Sequence, residues 1–548
     1  MPVGRQALHA EVFSETPLNG MQEQIDSFNL LGRLRSGNGV HTLQERQQLE
    51  LLVEHIQAGI HFCNQVEAGE AGLLLSSRPA SSQKPLLSHM NTILSGLRQS
   101  LDCCDSLRAP VWSIPIEILV EVFKYACSDG VNLGLDCSWP GAPFYLASVC
   151  THWRSIALGI GSIWASNTSP SEAIRLPSSH IRMYELLLLR SLPSILDITF
   201  EPGSPRHQSQ IALVKALKPH MQRISRLTIN LPLLIPYLSI YFRNLTELHL
   251  YTSRENETMP ELKAPMLRSL SLNTPGDAFS RFKLPWAQIE ELNVCQVSVS
   301  ELSALLHSCP YLKTLELYDA DICDFPSPVE ELLAPTVTHL RIVVEDPDES
   351  NAHADLISLL RLPGLNTIDV RDIQPVSMSW MLDPLGRGIQ DMIQKSGCRV
   401  IHLILQNVNI THGEVQTLLE VMPSLTSLVF HTFHDDFTRG SSDLFMGLVA
   451  GQDSKVEGGR GSKRTLVPCL TSIDIEDSGR TLPDSSLLRL LRSRSGQSNS
   501  PGVAVLQNVR VKLRNREIDR TICKSIKQCI SSNRFRIELV DSNGLVDL

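Results

Sequence analysis

The sequence predicts an α+β chain in which a helical N-terminal part precedes a long α/β repeat array. Two observations predict this fold class. The 548 residues are 42% apolar but only 5% aromatic, so the apolar side chains are mainly aliphatic. A short aliphatic phrase recurs beyond residue 190, whereas helical periodicity dominates before it. At roughly 150 residues per domain, the length allows several globular domains or one extended array.

Composition and charge exclude several classes of function. The chain has 49 basic and 58 acidic side chains, a net charge of -9, so we expect no nucleic-acid partner. We find no apolar run of signal-peptide or membrane-spanning length, and we expect no membrane partner. The 13 cysteines contain no Cys-x-x-Cys pair, which argues against a disulfide framework. The expectation is a reduced, soluble protein of the cytoplasm, the nucleus or both.

Residues 1–40 mix Gly, Ser, Asn and Pro, and we expect them to form a flexible leader. Residues 41–106 predict a helical hairpin, since two stretches with helical apolar spacing flank a Pro- and Ser-rich turn. Thr42, with Glu45 three residues later, marks the start of the first helix. Two interpretations remain open: the hairpin packs on the next unit, or it forms a short coiled coil that mediates weak self-association.

A second helical unit is predicted over residues 109–166. Ser113 is a candidate N-cap, and Pro115 lies in the first turn of an amphipathic helix. A segment rich in Gly, Asp and Pro, residues 128–143, separates this helix from a second one that contains Trp153. About 55 residues form only a small core, so docking on a partner is expected to complete this unit.

The strings IPIEILVEVFKYA, YLASVCTHWRSIA and SIW resemble the F-box as it occurs in basidiomycete-type fungal proteins. Their pattern is Leu-Pro-x-Glu-Ile-Leu-x-x-Ile-Phe, then Val-Cys-x-x-Trp-Arg-x-Ile-Ala, then Leu-Trp. The resemblance implies a small all-α unit that binds a Skp-type adaptor, and through it a cullin-RING ubiquitin ligase. The implied adaptor-binding residues are Ile114, Pro115, Glu117, Ile118, Leu119, Val122, Phe123, Val149, Cys150, Trp153, Ile156 and Trp164. The insertion at 128–143 departs from the pattern, since it separates the two halves of the motif.

From about residue 190 to 548 one phrase recurs: an apolar residue, two variable residues, Leu or Ile, one variable residue and another apolar one. Its central positions are Leu227, Leu248, Leu270, Leu292, Leu315, Leu340, Ile368, Leu403, Leu428 and Ile473. Most spacings between them fall in or near the range of 20–29 residues that is typical of leucine-rich repeats. Helical stretches lie between several copies. We expect an irregular solenoid, a horseshoe-like arc, with disordered loops near 451–464 and 493–502.

In such a repeat the central phrase is a strand whose alternate residues point away from the core. The residues after the central positions are therefore candidates for contact with a target protein. They are Thr228, His249, Ser271, Asn293, Glu316 and Arg341.

The sequence offers no recognisable catalytic constellation, so we expect no enzyme activity and no cofactor. The string HTFHDD at 431–436 is the best metal-ligand cluster, but it has no second ligand group in sequence, and we expect no metal site. The Gly-rich GGRGSK lacks P-loop spacing.

The functional expectation is a substrate-recognition subunit of a Skp-cullin-F-box ubiquitin ligase whose target is unknown. The alternative is a non-catalytic leucine-rich-repeat scaffold in which the F-box-like helices are only a structural cap. An enzyme with an unrecognised site is a third class, which convergent titratable groups in a deep pocket would support.

Overall fold

The computed structural model describes most of the chain outside the leader and several connections. The described residues are 25–26, 28–36, 42–67, 83–133, 141–169, 178–201, 208–237, 240–251, 261–273, 282–295, 297–318, 331–344, 350–372, 383–407, 412–431, 448–449, 466–477, 484–495, 503–513, 519–531, 536–541 and 544–545. They divide into two units, one of residues 1–170 and 176–198 and one of residues 171–175 and 199–548. Within these ranges, no helix combines the length and the apolar character needed to cross a membrane.

The first unit is mainly helical. Its helices are α1 (Leu30–Ser36), α2 (Leu43–Glu67), α3 (Gln83–Leu107), α4 (Ile116–Ala126), α5 (Ala142–Val149), α6 (Thr151–Gly159) and α7 (Ser178–Arg190). Two short strands, β1 (Val131–Asn132) and β2 (Ser166–Ser169), pair in parallel. Strand β3 (Leu196–Phe200) begins in this unit and ends in the second.

Helices α2 and α3 pack against each other as a hairpin, and α2 begins at the predicted capping box. The Thr42 hydroxyl accepts a hydrogen bond from the Glu45 amide at 3.1 Å, and the Glu45 carboxylate accepts one from the Thr42 amide. The apolar seam of α2, including Leu49 and Ile56, is buried within the first unit. Residues of α1, α2 and α3 cover this seam within the chain, and self-association stays a prediction.

The prediction of a flexible leader through residue 40 is wrong for its last part. Helix α1 lies within that range, and Leu30 is buried in the same core cluster as the hairpin seam. Arg33 also forms an ion pair with Glu45 of α2 at 2.9 Å. Burial of Leu30 supplies the apolar contact that a Gly- and Ser-rich leader was expected to lack.

Helices α4, α5 and α6 form a small core built on aromatic contacts. The rings of Phe123 and Trp153 lie 5.0 Å apart, and Phe144 contacts Trp164 edge-to-face at 5.2 Å. Trp164 is fully buried, and its indole N–H donates to the Ala157 carbonyl at 2.8 Å. These contacts, together with buried aliphatic side chains such as Leu119 and Ile156, hold the three short helices together.

The second unit is an α/β fold with a long parallel sheet. Its strands are β4 (Ile224–Asn230), β5 (Glu247–Tyr251), β6 (Ser269–Asn273), β7 (Glu291–Cys295), β8 (Thr314–Tyr318), β9 (Leu332–Leu333), β10 (His339–Val344), β11 (Leu360–Arg361), β12 (Thr367–Asp372), β13 (His402–Gln406), β14 (Ser427–His431), β15 (Ser472–Asp477), β16 (Asn508–Leu513), β17 (Arg536–Asp541) and β18 (Gly544–Leu545). Strands β4 to β17 are parallel neighbours in chain order, except that β9 and β11 pair separately. Strand β18 is antiparallel to β17.

The strands pair in one strict register along the sheet. All ten predicted central positions, from Leu227 to Ile473, are direct partners across neighbouring strands. Each is at most 2% exposed, so together they form one buried row. The register continues into β16 and β17, two strands that the sequence analysis missed, at the buried Val509 and the partly exposed Ile537. This long sheet is compatible with a solenoid-like repeat.

Helices fill many of the connections in the second unit. They are α8 (Gln208–Leu217), α9 (Leu231–Leu234), α10 (Val299–Ser308), α11 (Ser350–Leu359), α12 (Asp383–Ser396), α13 (His412–Glu420), α14 (Asp484–Ser493) and α15 (Arg520–Ser531). Most lie where helical spacing predicts them, and Ser298 caps α10 in a capping box with Glu301. Helix α12 was not predicted, because Pro384, Gly386 and Gly388 lower its helix propensity.

The predicted disordered loop near 493–502 is wrong at its start, since Arg494 and Ser495 are buried. Residues 496–502 and the other predicted loop, 451–464, lie outside the described residues. The Arg494 side chain is 1% exposed and donates to three backbone carbonyls, those of Leu448 at 2.8 Å, Leu466 at 2.9 Å and Val467 at 3.2 Å. Burial lowers the pKa of this guanidinium to about 10. Its hydrogen bonds tie α14 to two other segments.

We expect Arg494→Met to lower the free energy of unfolding by about 2–4 kcal/mol, because two buried carbonyls and one partly buried carbonyl lose their donor. Urea unfolding and hydrogen exchange of β15 and β16 would measure the loss. Arg492→Met is the matched control, because Arg492 is exposed; it should alter neither the free energy of unfolding nor the hydrogen exchange. Equal stability of the two variants would contradict the role of Arg494.

Candidate binding surfaces

Helix α4 carries two apolar stripes, and only one of them is buried. Leu119 and Phe123 face the core. Ile118, Val122 and Tyr125, spaced by four and three residues, form a second stripe on the surface, where they are 54%, 50% and 86% exposed. Exposed apolar side chains grouped at helical spacing are typical of a surface that binds another protein.

The predicted adaptor-binding residues therefore divide into two groups. Pro115, Glu117, Ile118, Val122 and Val149 are exposed, and Ile114 and Trp153 are partly exposed. The others are core residues, namely Leu119, Phe123, Cys150, Ile156 and Trp164. The prediction of direct contact with a partner is wrong for these five side chains, because their apolar surface is already used inside the unit.

Helix α5 adds exposed apolar side chains to the same unit. Tyr145 and Val149, four residues apart, are both exposed, and α4 contacts both α5 and α6. Cys150 caps α6, since its sulfur accepts a hydrogen bond from the Trp153 amide at 3.3 Å. The cap fixes the turn between α5 and α6 and thus the position of Val149.

Part of the insertion at 128–143 is integrated into the fold. Its strand β1 pairs with β2, with Val131 opposite Asn167. Gly130 precedes β1 with a φ of 72°, a conformation that favours glycine, and a side chain there would collide with Ser166. Residues 134–140 lie outside the described residues.

In the second unit, all six residues predicted to contact a target lie in one row on the polar face of the sheet. Thr228, His249, Ser271, Asn293, Glu316 and Arg341 are direct cross-strand partners in that order. Each is partly exposed. All except Thr228 line a groove of about 630 Å³ that extends over strands β5 to β14.

The row continues beyond the predicted residues. It runs through Asp369, Ile404, Val429, Asp474, Arg510 and Glu538. The first four follow predicted central positions, so the same rule identifies them. The strands of Arg510 and Glu538 were missed, although Leu506, Val509 and Val511 have the spacing of the repeat phrase with Val in place of the central Leu or Ile.

A cluster of paired charges lies at the middle of this face. Arg341 donates to Asp369 at 3.0 Å and to Glu316 at 3.1 Å. Arg371 also donates to Asp369, with its Nη2 at 2.8 Å from Oδ2. Burial opposes the charge on Arg341, but the hydrogen bonds and charges of Asp369 and Glu316 raise its pKa overall. The cluster is a preformed, charge-balanced part of the groove.

Further ion pairs lie toward both ends of the face. At one end Glu247 accepts from His249 at 2.7 Å, and this hydrogen bond lowers the pKa of the Glu247 carboxyl. At the other end Asp474 contacts His431 at 3.3 Å and Arg510 at 3.7 Å. His431 thus faces a carboxylate on the neighbouring strand, whereas His434, Asp435 and Asp436 of the candidate metal cluster lie outside the described residues. Within the described ranges, no group of three or more His, Cys, Asp or Glu residues is arranged to hold a metal ion.

Comparison with known proteins shows no family for this chain. No protein-family model matches it, and no curated protein is significantly similar to it. Among solved structures, a Bacteroides fragilis protein determined as a structural-genomics target is similar over 35% of this chain and 62% of its own. The match therefore spans less than two thirds of that protein, with 11% identity and a TM-score of 0.19. A score this low carries no weight for fold or function.

We expect Asp369→Asn to lower the free energy of unfolding of the second unit by about 1–3 kcal/mol, because it removes the charge that holds Arg341 and Arg371. Chemical denaturation of the full chain measures this change. Glu291→Gln is the control: Glu291 is an exposed carboxylate on the same face and has no ion pair among the described residues. If both substitutions have the same effect, Asp369 does not organise the cluster.

Proposed function

We propose that this protein is an F-box substrate receptor of a ubiquitin ligase. In this proposal the small helical unit binds a Skp-type adaptor, and through it a cullin-RING ligase, while the second unit captures a target protein. The observation that carries the proposal is the exposed apolar stripe of α4, Ile118, Val122 and Tyr125, within the segment whose sequence resembles the F-box.

The energetics of this stripe support an adaptor-binding role. Ile118 and Val122 each leave about half of their side chain in water, so burying the remainder on a partner contributes roughly 1 kcal/mol for each. Tyr125 adds a large aromatic surface with a hydroxyl that can remain at the rim of an interface. Leu119 and Phe123 fix the helix in the core from its opposite side. Truncating Leu119 or Phe123 would therefore weaken adaptor binding by destabilising the fold.

We interpret the second unit as an irregular leucine-rich-repeat arc whose polar face binds the target. Such a receptor forms no bond itself. It brings a lysine of the target close to a charged conjugating enzyme, and this increase in effective concentration is its whole contribution. The proposal assigns no catalytic residue, cofactor or metal ion to the chain.

We expect the double variant Ile118→Glu/Val122→Glu to reduce capture of a Skp-type adaptor by at least about tenfold, because it places two charges in an apolar interface. The measurement is a pull-down of purified adaptor on the full chain, followed by titration. Both positions are exposed, so the circular dichroism spectrum should remain that of the wild type.

Leu51→Glu is the matched control, since Leu51 is an aliphatic side chain of α2 that is exposed to a similar degree. It should bind the adaptor like the wild type. Absence of adaptor binding by the wild-type chain would refute the assignment.

The second candidate is a non-catalytic repeat scaffold in which the F-box-like helices are only a structural cap. The integration of the insertion through β1 and β2 favours it, because this strand pair ties the helices into the fold without any partner. The same pull-down separates the candidates, since a scaffold of this kind captures no adaptor.

A further inference from the structure

We propose that the polar face of the sheet binds an extended protein segment in which an acidic side chain lies one to three residues from an aliphatic one. The acidic group contacts Arg341 and Arg371, and the aliphatic group packs on Ile404 and Val429. This inference rests on the proposed function in taking this face as the target-binding surface, and it specifies the chemistry of the target.

The ion-pair cluster presents its positive groups to the groove. The side chains of Arg341 and Arg371 are 38% and 39% exposed, whereas that of Asp369 is only 6% exposed. Glu316, the other acceptor of Arg341, is 19% exposed. The carboxylates therefore lie mostly behind the guanidinium groups, and a partner meets hydrogen-bond donors first.

Both guanidinium groups keep donors free for a ligand. Arg341 uses Nε and Nη1, and Arg371 uses Nε and Nη2, in their bonds to carboxylates. Nη2 of Arg341 and Nη1 of Arg371 form no hydrogen bond with the described residues. The two side chains share the Oδ2 atom of Asp369, at 3.0 Å and 2.8 Å, so their donating nitrogens lie less than about 6 Å apart. In the proposal one carboxylate of the target contacts both guanidinium groups.

The adjacent apolar pair supplies the second contact. Ile404 is the cross-strand partner of Asp369, and Val429 is the partner of Ile404. Both are partly exposed, and both line the groove. On strands β4 to β12 the same row is polar throughout, so this pair is an isolated aliphatic patch beside the guanidinium groups. A small apolar patch bordered by charges resembles a hot spot with its polar rim.

Strand spacing sets the distance between the two contacts. Ile404 lies one strand from Arg371 and two strands from Arg341, which corresponds to about 5–10 Å. An extended chain advances about 3.4 Å per residue. The acidic and aliphatic side chains of the target are therefore one to three residues apart.

Other residues of the groove exclude a long polyanion such as a nucleic acid. Glu247, Glu291 and Glu316 line it on the side away from Ile404 and would repel successive phosphates. The guanidinium pair is suited to a single anionic group on an otherwise mixed segment. The occupant is thus an acidic, aliphatic stretch of protein.

Selection from a random library of displayed peptides on the immobilised full chain tests this inference. We expect enriched sequences to place Asp or Glu one to three residues from Leu, Ile, Val or Met. Affinities of the selected peptides, measured by fluorescence anisotropy, should fall about tenfold or more in Arg341→Gln/Arg371→Gln and also decrease with added salt. Failure to enrich any peptide, or enrichment of basic or purely apolar ones, would overturn the proposal.

Matched variants locate the contact. Arg226→Gln removes a guanidinium from strand β4 of the same face and should leave the affinity unchanged, whereas Ile404→Ala should weaken it without altering the charge. If the double Gln variant loses its circular dichroism signal, Arg371→Gln alone and Ile404→Ala decide the question. If Arg371→Gln and Ile404→Ala both bind the peptides with the affinity of the wild type, the contact is refuted.

The two proposals fail independently. Adaptor capture through α4 is measured on the same variants and should not change. A chain that selects acidic, aliphatic peptides but captures no adaptor would keep this inference and lose the F-box assignment. A chain that captures the adaptor but selects no such peptides would keep the F-box assignment and lose this inference.

Discussion

Backbone pairing between parallel strands in one unbroken register is the constraint on which the second unit depends. At the start of each main-sheet strand from β6 to β16 one carbonyl of the preceding repeat accepts two amides, as Thr246 does from Arg268 and Ser269 at 2.9 and 3.0 Å. The same pattern recurs at Glu290, Thr338 and Thr426. Because side chains alternate along a strand, this register sends every central Leu inward and every following residue outward. A slip of one residue would bury the charged row and expose the aliphatic one.

Helices α4, α5 and α6 of the first unit are organised differently, because each is short and buries little surface. Aromatic contacts contribute to their packing, such as those of Trp164 with Phe144 and with the guanidinium of Arg190, 4.9 Å from the ring. Helix α4 uses one narrow stripe for this purpose and leaves another in water. Because one stripe is buried and the other is exposed, this helix is a candidate for docking.

Much of the repeat array could be predicted from sequence, since one inward position recurs at regular spacing. The prediction of the outward row was equally simple, because Thr228 to Arg341 follow the central residues directly. The chemically important neighbour Arg371 could not be found in this way. It lies two residues farther along its strand, and only the shared carboxylate of Asp369 connects it to Arg341.

The small helical unit shows why motif residues do not reveal their roles. Leu119 and Ile118 are adjacent and both aliphatic, yet one is in the core and the other in water. Helical periodicity permits either stripe to face inward, and the choice is made by Phe123 packing on Trp153. Helix α12 was missed for a related reason: tertiary packing overrides its weak helix propensity, and Gly388 fits closely against the Ala354 backbone.

The buried Arg494 links distant parts of the chain, and this has a consequence for synthesis. Its three carbonyl acceptors belong to residues 448, 466 and 467, which leave the ribosome first. Val467 also has a φ of 44°, an unfavourable conformation for a β-branched residue. Until residue 494 has been added, these carbonyls lack the donor that holds them. A nascent chain truncated before this point has the strand β15 sequence but not the guanidinium that secures the segment leading into it.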